Sequence, residues 1–119
     1  MNTLFLVTLI VEGLFALGFI FVPGAMLGTF GVTLDVTSAI LARLFGSALV
    51  GFPVLLWFAR KSANTEFKKG AVKSLFAYYL VSTVPLVIAE TTGLMNALGW
   101  SVVGLHGIFL LWFGYFLVK

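Results

Sequence analysis

Cysteine is missing from this 119-residue chain, and charge is scarce: seven Lys and Arg, four Asp and Glu, and a single His. The first absence excludes disulfides, thiol redox chemistry and cysteine-based metal sites, and it leaves the redox compartment open. The second excludes a water-facing surface. A soluble domain devotes roughly a quarter of its residues to charge, whereas here charge takes 9% against 61% hydrophobic, with a mean hydropathy of +1.17. The chain reads as an integral membrane protein one domain long. It also lacks a P-loop, a dinucleotide-binding glycine pattern and a metalloprotease His–Glu motif. With one histidine and no cysteine, no transition-metal site is expected. Ser47 and Ser101 stand in no nucleophile-and-base context, so the reading leans away from an enzyme.

What is present is apolar helix. A bilayer core needs about 20 mostly apolar residues at roughly 1.5 Å each, and four segments supply them, at about 4–22, 39–59, 72–90 and 100–118. The expected fold is all-α: a single polytopic four-transmembrane-helix bundle over residues 1–119. No strand periodicity or internal repeat competes with it. The N-terminus has no cationic region and no small-residue cleavage site behind its apolar run, so it is read as a retained helix.

The net charge of +3 does not point to nucleic acid, because the cations are gathered in one place. Arg60, Lys61, Lys68, Lys69 and Lys73 surround the link between spans two and three, and Lys119 ends the chain. Basic loops mark the cytoplasmic side, which predicts N-in/C-in topology in a plasma membrane, with the lipid bilayer as the first partner. Trp57 and Trp100 fall near span ends, as interfacial aromatics do.

The link from Pro23 to Ser38 is too apolar for a solvated loop. Pro23 suits the first position of a short helix and Gly31 its end, while Asp35, Thr37 or Ser38 can cap the second span. Pro53 and Pro85 sit inside spans and should bend them. Small residues four apart, Ala42 with Gly46 and Ser47 with Gly51, mark close-packing faces.

Four ionisable residues remain inside the spans, one in each: Glu12, Arg43, Glu90 and His106. Such groups are costly in lipid and usually turn toward a bundle interior and one another. Their similar depth predicts an Arg43–Glu90 ion pair, with Glu12 and His106 below it, lining a polar vestibule that opens outward. Glu12 is the deepest. Unpaired and charged, it would cost roughly 2.5–3.5 kcal/mol, and holding it protonated at neutral pH costs roughly 3.7 kcal/mol. Those costs nearly cancel, so its partner decides its state. It either binds something in a central pocket or locks helices together. Tyr78 and Tyr79 are read as packing residues. His106 can hold a haem or chlorophyll axially, but nothing else in the sequence names a cofactor.

The stretch "RLFGSALVGFPVLLWFARK", following "GFIFVPGAMLGTFG", resembles small bacterial four-helix inner-membrane proteins loosely of the DoxX type. The resemblance covers the general layout, implies a bacterial plasma-membrane bundle and brings no catalytic residues. Three functions are compatible with the residues. They are a bundle that binds or transports a small molecule or protons through Glu12, Arg43, Glu90 and His106; an accessory subunit or homo-oligomer in a larger membrane complex; and, weakest, a lipid-modifying enzyme using Glu12 and His106 as acid and base.

Overall fold

The computed structural model describes residues 1–119. Its regular structure is entirely helical: α1 (Asn2–Phe21), α2 (Pro23–Gly28), α3 (Val36–Leu49), α4 (Gly51–Lys61), α5 (Thr65–Thr91) and α6 (Gly99–Val118). Four stretches are long and apolar enough to cross a membrane: α1, α3 with α4 as one 26-residue span, α5 and α6. The long dimension of the molecule, 45 Å, matches a bilayer with its headgroup layers, about 40–45 Å.

Local chemistry explains where the helices start and break. Asp35 and Ser38 form a reciprocal capping box: Ser38 N–H donates to Asp35 Oδ1 at 2.7 Å, and Asp35 N–H donates to Ser38 Oγ at 2.9 Å. The cap begins α3 at Val36, three residues before the apolar pattern does. The hydroxyl and the amide of Ser38 hold the Asp35 carboxyl below the ordinary carboxylate range. Near Pro53 the second span is interrupted at Val50, with stretched bonds from Val50 N to Gly46 O (3.3 Å) and Val54 N to Val50 O (3.4 Å). Proline has no N–H to give the carbonyl four residues back, so the ladder loosens there. Pro85 is carried inside α5 without a break. Pro23 takes the first turn of α2, and Gly31, at φ +78°, turns the chain after it. Asn64 accepts from Phe67 N–H at 3.1 Å and starts α5.

The helices pack as two pairs. α1 lies along α3 and α4, α5 lies along α6, and the pairs meet mainly where α4 touches α5. The close-packed core is Leu4, Phe5, Leu56, Ala59, Ala71, Val72, Leu75, Tyr79, Phe109 and Phe113. Its members come from the start of α1, the end of α4, the start of α5 and the end of α6, so the core fills the half of the bundle nearest the basic link. Lys68 Nζ on Asn2 Oδ1 at 3.2 Å, and Lys61 over the Trp57 ring at 4.0 Å, decorate that end. At the other end Asn96 clasps the α2 turn, donating from its backbone N–H to Phe30 O at 2.8 Å and from Nδ2 to Thr29 O at 3.1 Å. Outward-facing positions are aliphatic: Leu14, Leu41, Leu44, Val81, Ile108 and Leu111 are each at least 60% exposed. A surface of that kind suits hydrocarbon, not water.

Candidate functional site

The buried face of α1 runs through Leu4, Thr8, Glu12 and Ala16 at four-residue spacing. That spacing carries Glu12 into the bundle at the upper edge of the core, ten residues from the start of α1 and nine from its end. Only 4% of Glu12 is exposed. Its Oε1 accepts a hydrogen bond from the Tyr79 hydroxyl at 2.5 Å. The Tyr79 ring is fully buried, stacked on Phe109 and Phe113 with centroids 5.1 and 5.8 Å away. The hydroxyl is therefore aimed by a packed aromatic stack.

Directly above this pair lies a pocket of about 250 Å³. α1 contributes Glu12, Phe15 and Phe19, and α3 contributes Phe45 and Leu49. α5 and α6 supply the facing wall, including Tyr78, Ser82, Pro85 and His106. α3 packs against neither α5 nor α6, so the pocket lies between two walls that do not touch at that level. Phe19 and Phe45 meet edge to face, with centroids 5.2 Å apart. The expected polar vestibule is thus an aromatic pocket with a few polar atoms at its base.

Those polar atoms can be counted. Glu12 Oε2 takes no hydrogen bond from the protein, and Ser82 Oγ is buried without a partner. His106 Nδ1 lies 3.0 Å from Val102 O. A carbonyl only accepts, which assigns the proton to Nδ1 and leaves Nε2 as an acceptor in the neutral ring. The imidazole stands edge-on to Tyr79, with centroids 5.2 Å apart. Glu12 and His106 share the pocket but make no hydrogen bond or ion pair with each other. Their predicted pairing is replaced by Glu12–Tyr79.

The predicted Arg43–Glu90 pair is not formed. The one ion pair in the molecule is Lys69–Glu66, exposed and three residues apart. Helix geometry explains the miss. Ala42 and Gly46 turn α3 toward α1: a Cβ on Gly46 would stand 2.7 Å from Phe19 Cβ and 3.0 Å from Ala16 O. Arg43, about 100° further round the helix, faces out of the bundle, and its long stem can carry the guanidinium toward headgroups. Glu90 instead lies against Gly99, its Oε1 buried, without a hydrogen bond, and standing where a Cβ on Gly99 would be. Gly99 opens α6, and the N-terminal end of a helix favours negative charge. Neither Arg43 nor Glu90 lines the pocket.

Tyr79 and Ser82 are the site residues that a search for charged groups passes over. The signal was present in α5: Tyr78, Tyr79, Ser82 and Thr83 set polar atoms three and four residues apart on an otherwise apolar span. The chain matches no protein-family model, no curated protein and no solved structure, so the site stands on its geometry alone.

Proposed function

We propose that this protein is a membrane-embedded binding bundle. Its pocket takes up a small, largely apolar molecule from the lipid phase and fixes one polar end of it at Glu12. The observation that carries the reading is a carboxyl group lining an aromatic pocket, with one oxygen tied to Tyr79 and the other free of any protein hydrogen bond. Ligand sites are commonly concave and apolar, with a few convergent polar groups that set orientation. A mostly apolar lining contributed by the candidate membrane spans suits a ligand that partitions into lipid. Binding is the first step of transport, of which the same site is the minimal requirement. The setting proposed is a bacterial plasma membrane with both termini cytoplasmic, in keeping with the loosely DoxX-type layout and with the basic residues gathered at one end.

Two experiments test this. The chain is titrated in phosphatidylcholine nanodiscs with 2-phenylethanol, against empty nanodiscs and against Ser82→Leu, which fills the pocket. Binding that weakens at least about tenfold in the filled variant supports the pocket; equal heats in both eliminate it. Orientation is read by single cysteines, which the cysteine-free chain makes clean probes. Thr92→Cys should react with an impermeant maleimide on intact cells and Ser62→Cys should not; the opposite pattern reverses the topology.

A second reading, a subunit of a larger assembly, is favoured by one observation. A Cβ added to Gly104 or Gly107 on α6 meets nothing within 4 Å, so these positions leave room for another helix to approach. Stoichiometric co-purification of other chains in mild detergent would support it, and a lone monodisperse species counts against it.

A further inference from the structure

Resting on the binding reading above, we propose that the pocket selects an organic ammonium ion with an aromatic body. In this view the ammonium and a proton compete for the Glu12 carboxylate. The polar side chains that line the pocket include Glu12, Ser82 and His106; Glu12 Oε2 and Ser82 Oγ take no hydrogen bond from the protein, and one nitrogen of His106 is committed to Val102 O. Once Glu12 is ionised, its Oε2 and the second nitrogen of a neutral His106 can only accept. The Tyr79 hydroxyl, the strongest donor nearby, is already spent on Glu12 Oε1. A ligand head rich in N–H donors therefore satisfies the site. A carboxylate or carbonyl head brings no donor to an ionised Glu12.

Charge leads to the same ligand. The titratable groups facing Glu12 are Tyr78 and Tyr79 from α5 and His106 from α6. α3 and α4 send none, because Arg43 faces outward and Arg60 and Lys61 lie at the far, basic end. No lysine or arginine lines the pocket. An ionised Glu12 has no counter-ion within the protein, and a buried charge needs one. A proton or a bound cation can supply it, but not both at once. Entry of a protonated amine thus expels the carboxyl proton as H⁺, and the number of positive charges at the site is unchanged.

The walls suit such a guest. Phe15, Phe19, Phe45 and Tyr78 line the pocket, and aromatic faces attract cations, most strongly when both are desolvated. An engineered cavity of about 150 Å³ accommodates benzene. On that scale the 250 Å³ here takes roughly ten non-hydrogen atoms, the size of one ring on a short amine-bearing arm.

Three probes of nearly equal shape isolate the head group: 2-phenylethylamine, 2-phenylethanol and phenylacetate. Each is titrated calorimetrically into the full chain in zwitterionic phosphatidylcholine nanodiscs, in buffers of different ionisation enthalpy, between about pH 6 and 8. The expected result is an amine bound at least about tenfold tighter than the alcohol, with up to one proton released per amine. The amine's Kd should fall as pH rises, by at most about tenfold per unit. Glu12→Gln should bind amine and alcohol alike. Should that variant not fold, proton release and pH dependence in the unaltered chain still decide the matter. Alcohol binding as tightly as amine, without proton release, overturns the ammonium inference and leaves the pocket reading intact. Phenylacetate binding tightest overturns it too, by showing that His106 acts as the cation. No binding by any probe, or binding unchanged by Ser82→Leu, removes the pocket reading and this inference together.

Discussion

Removing a single oxygen atom, by Tyr79→Phe, tests the polar link between α1 and α5. The backbones of these helices do not pack against each other, and only two side-chain hydrogen bonds join them: Lys68 to Asn2 at the exposed basic end, and Tyr79 to Glu12 in the interior. The substitution leaves the ring on Phe109 and Phe113, so packing is kept and only the donor is lost. In water a hydrogen bond to a charged group contributes roughly 1.5–3 kcal/mol. Within membranes, measured side-chain bonds average about 0.6 and reach about 1.7 kcal/mol, because the unfolded helices also find partners. A hydrogen bond between two buried groups, one of them a carboxyl, belongs at the upper end of the membrane range. The expected loss is about 1–2 kcal/mol.

The assay is reversible unfolding by added sodium dodecyl sulfate from mild micelles, followed by circular dichroism, on Tyr79→Phe, Glu12→Leu and the double variant. Each single change strands a buried polar group, whereas removing both partners together can be nearly neutral. The double variant should therefore recover most of the loss and fall within about 0.5 kcal/mol of the unaltered chain. Additive losses, or a Tyr79→Phe effect below about 0.3 kcal/mol, would show that the contact contributes nothing and that Glu12 is held by packing alone.

Other outcomes follow from single atoms. Gly46→Ala should destabilise by about 1–3 kcal/mol, since its Cβ would meet Phe19 and Ala16; Gly104→Ala, with nothing within 4 Å, should be neutral or stabilising by under about 1 kcal/mol, and the same unfolding assay ranks the two. Thr8 Oγ1 is fully buried without a partner, so the near-isosteric Thr8→Val should hold or raise stability by about 1 kcal/mol; a loss would reveal a partner for the hydroxyl. Asp35 is held below the ordinary carboxylate range by Ser38. Its folded state therefore binds a proton less readily than its unfolded state. The stability it contributes is complete above the unfolded carboxylate value, and it drains away as pH falls through the folded one. Thermal scans from neutral to strongly acidic pH should show that acid limb, and Asp35→Asn should flatten it.

The four helices were legible because membrane insertion writes its requirement directly into composition: a span needs length and apolarity, and little in this chain competes with either. Capping chemistry was legible for the same local reason, with Asp35, Ser38, Pro23 and Gly31 acting within a few residues of themselves. The side-chain partners were not. Depth along a helix can be counted from the sequence, but the direction around it depends on which face packs, and that is settled between helices. Ala42 and Gly46 claimed the inner face of α3 and sent Arg43 outward. A tyrosine that reads as packing from its span turned out to be the donor that Glu12 needs.

Whether Glu12 binds or locks is answered by treating its two oxygens separately. Oε1 is committed to Tyr79 and Oε2 is not. Glu12→Gln separates the two roles, because an amide keeps one acceptor oxygen and exchanges the other for a donor NH₂. Turned with its oxygen toward Tyr79, the substituted amide preserves the link between α1 and α5, and unfolding should shift by less than about 1 kcal/mol. The pocket side, however, now presents an NH₂ that, unlike a carboxyl, cannot give up a proton and become the anion that a bound cation needs. If locking were the whole purpose, such a variant would behave like the parent in every assay. If the outward oxygen is there for a ligand, stability survives while preference for an ammonium head over a hydroxyl disappears. A large loss of stability with head-group preference intact would contradict the division of labour and return Glu12 to a structural part.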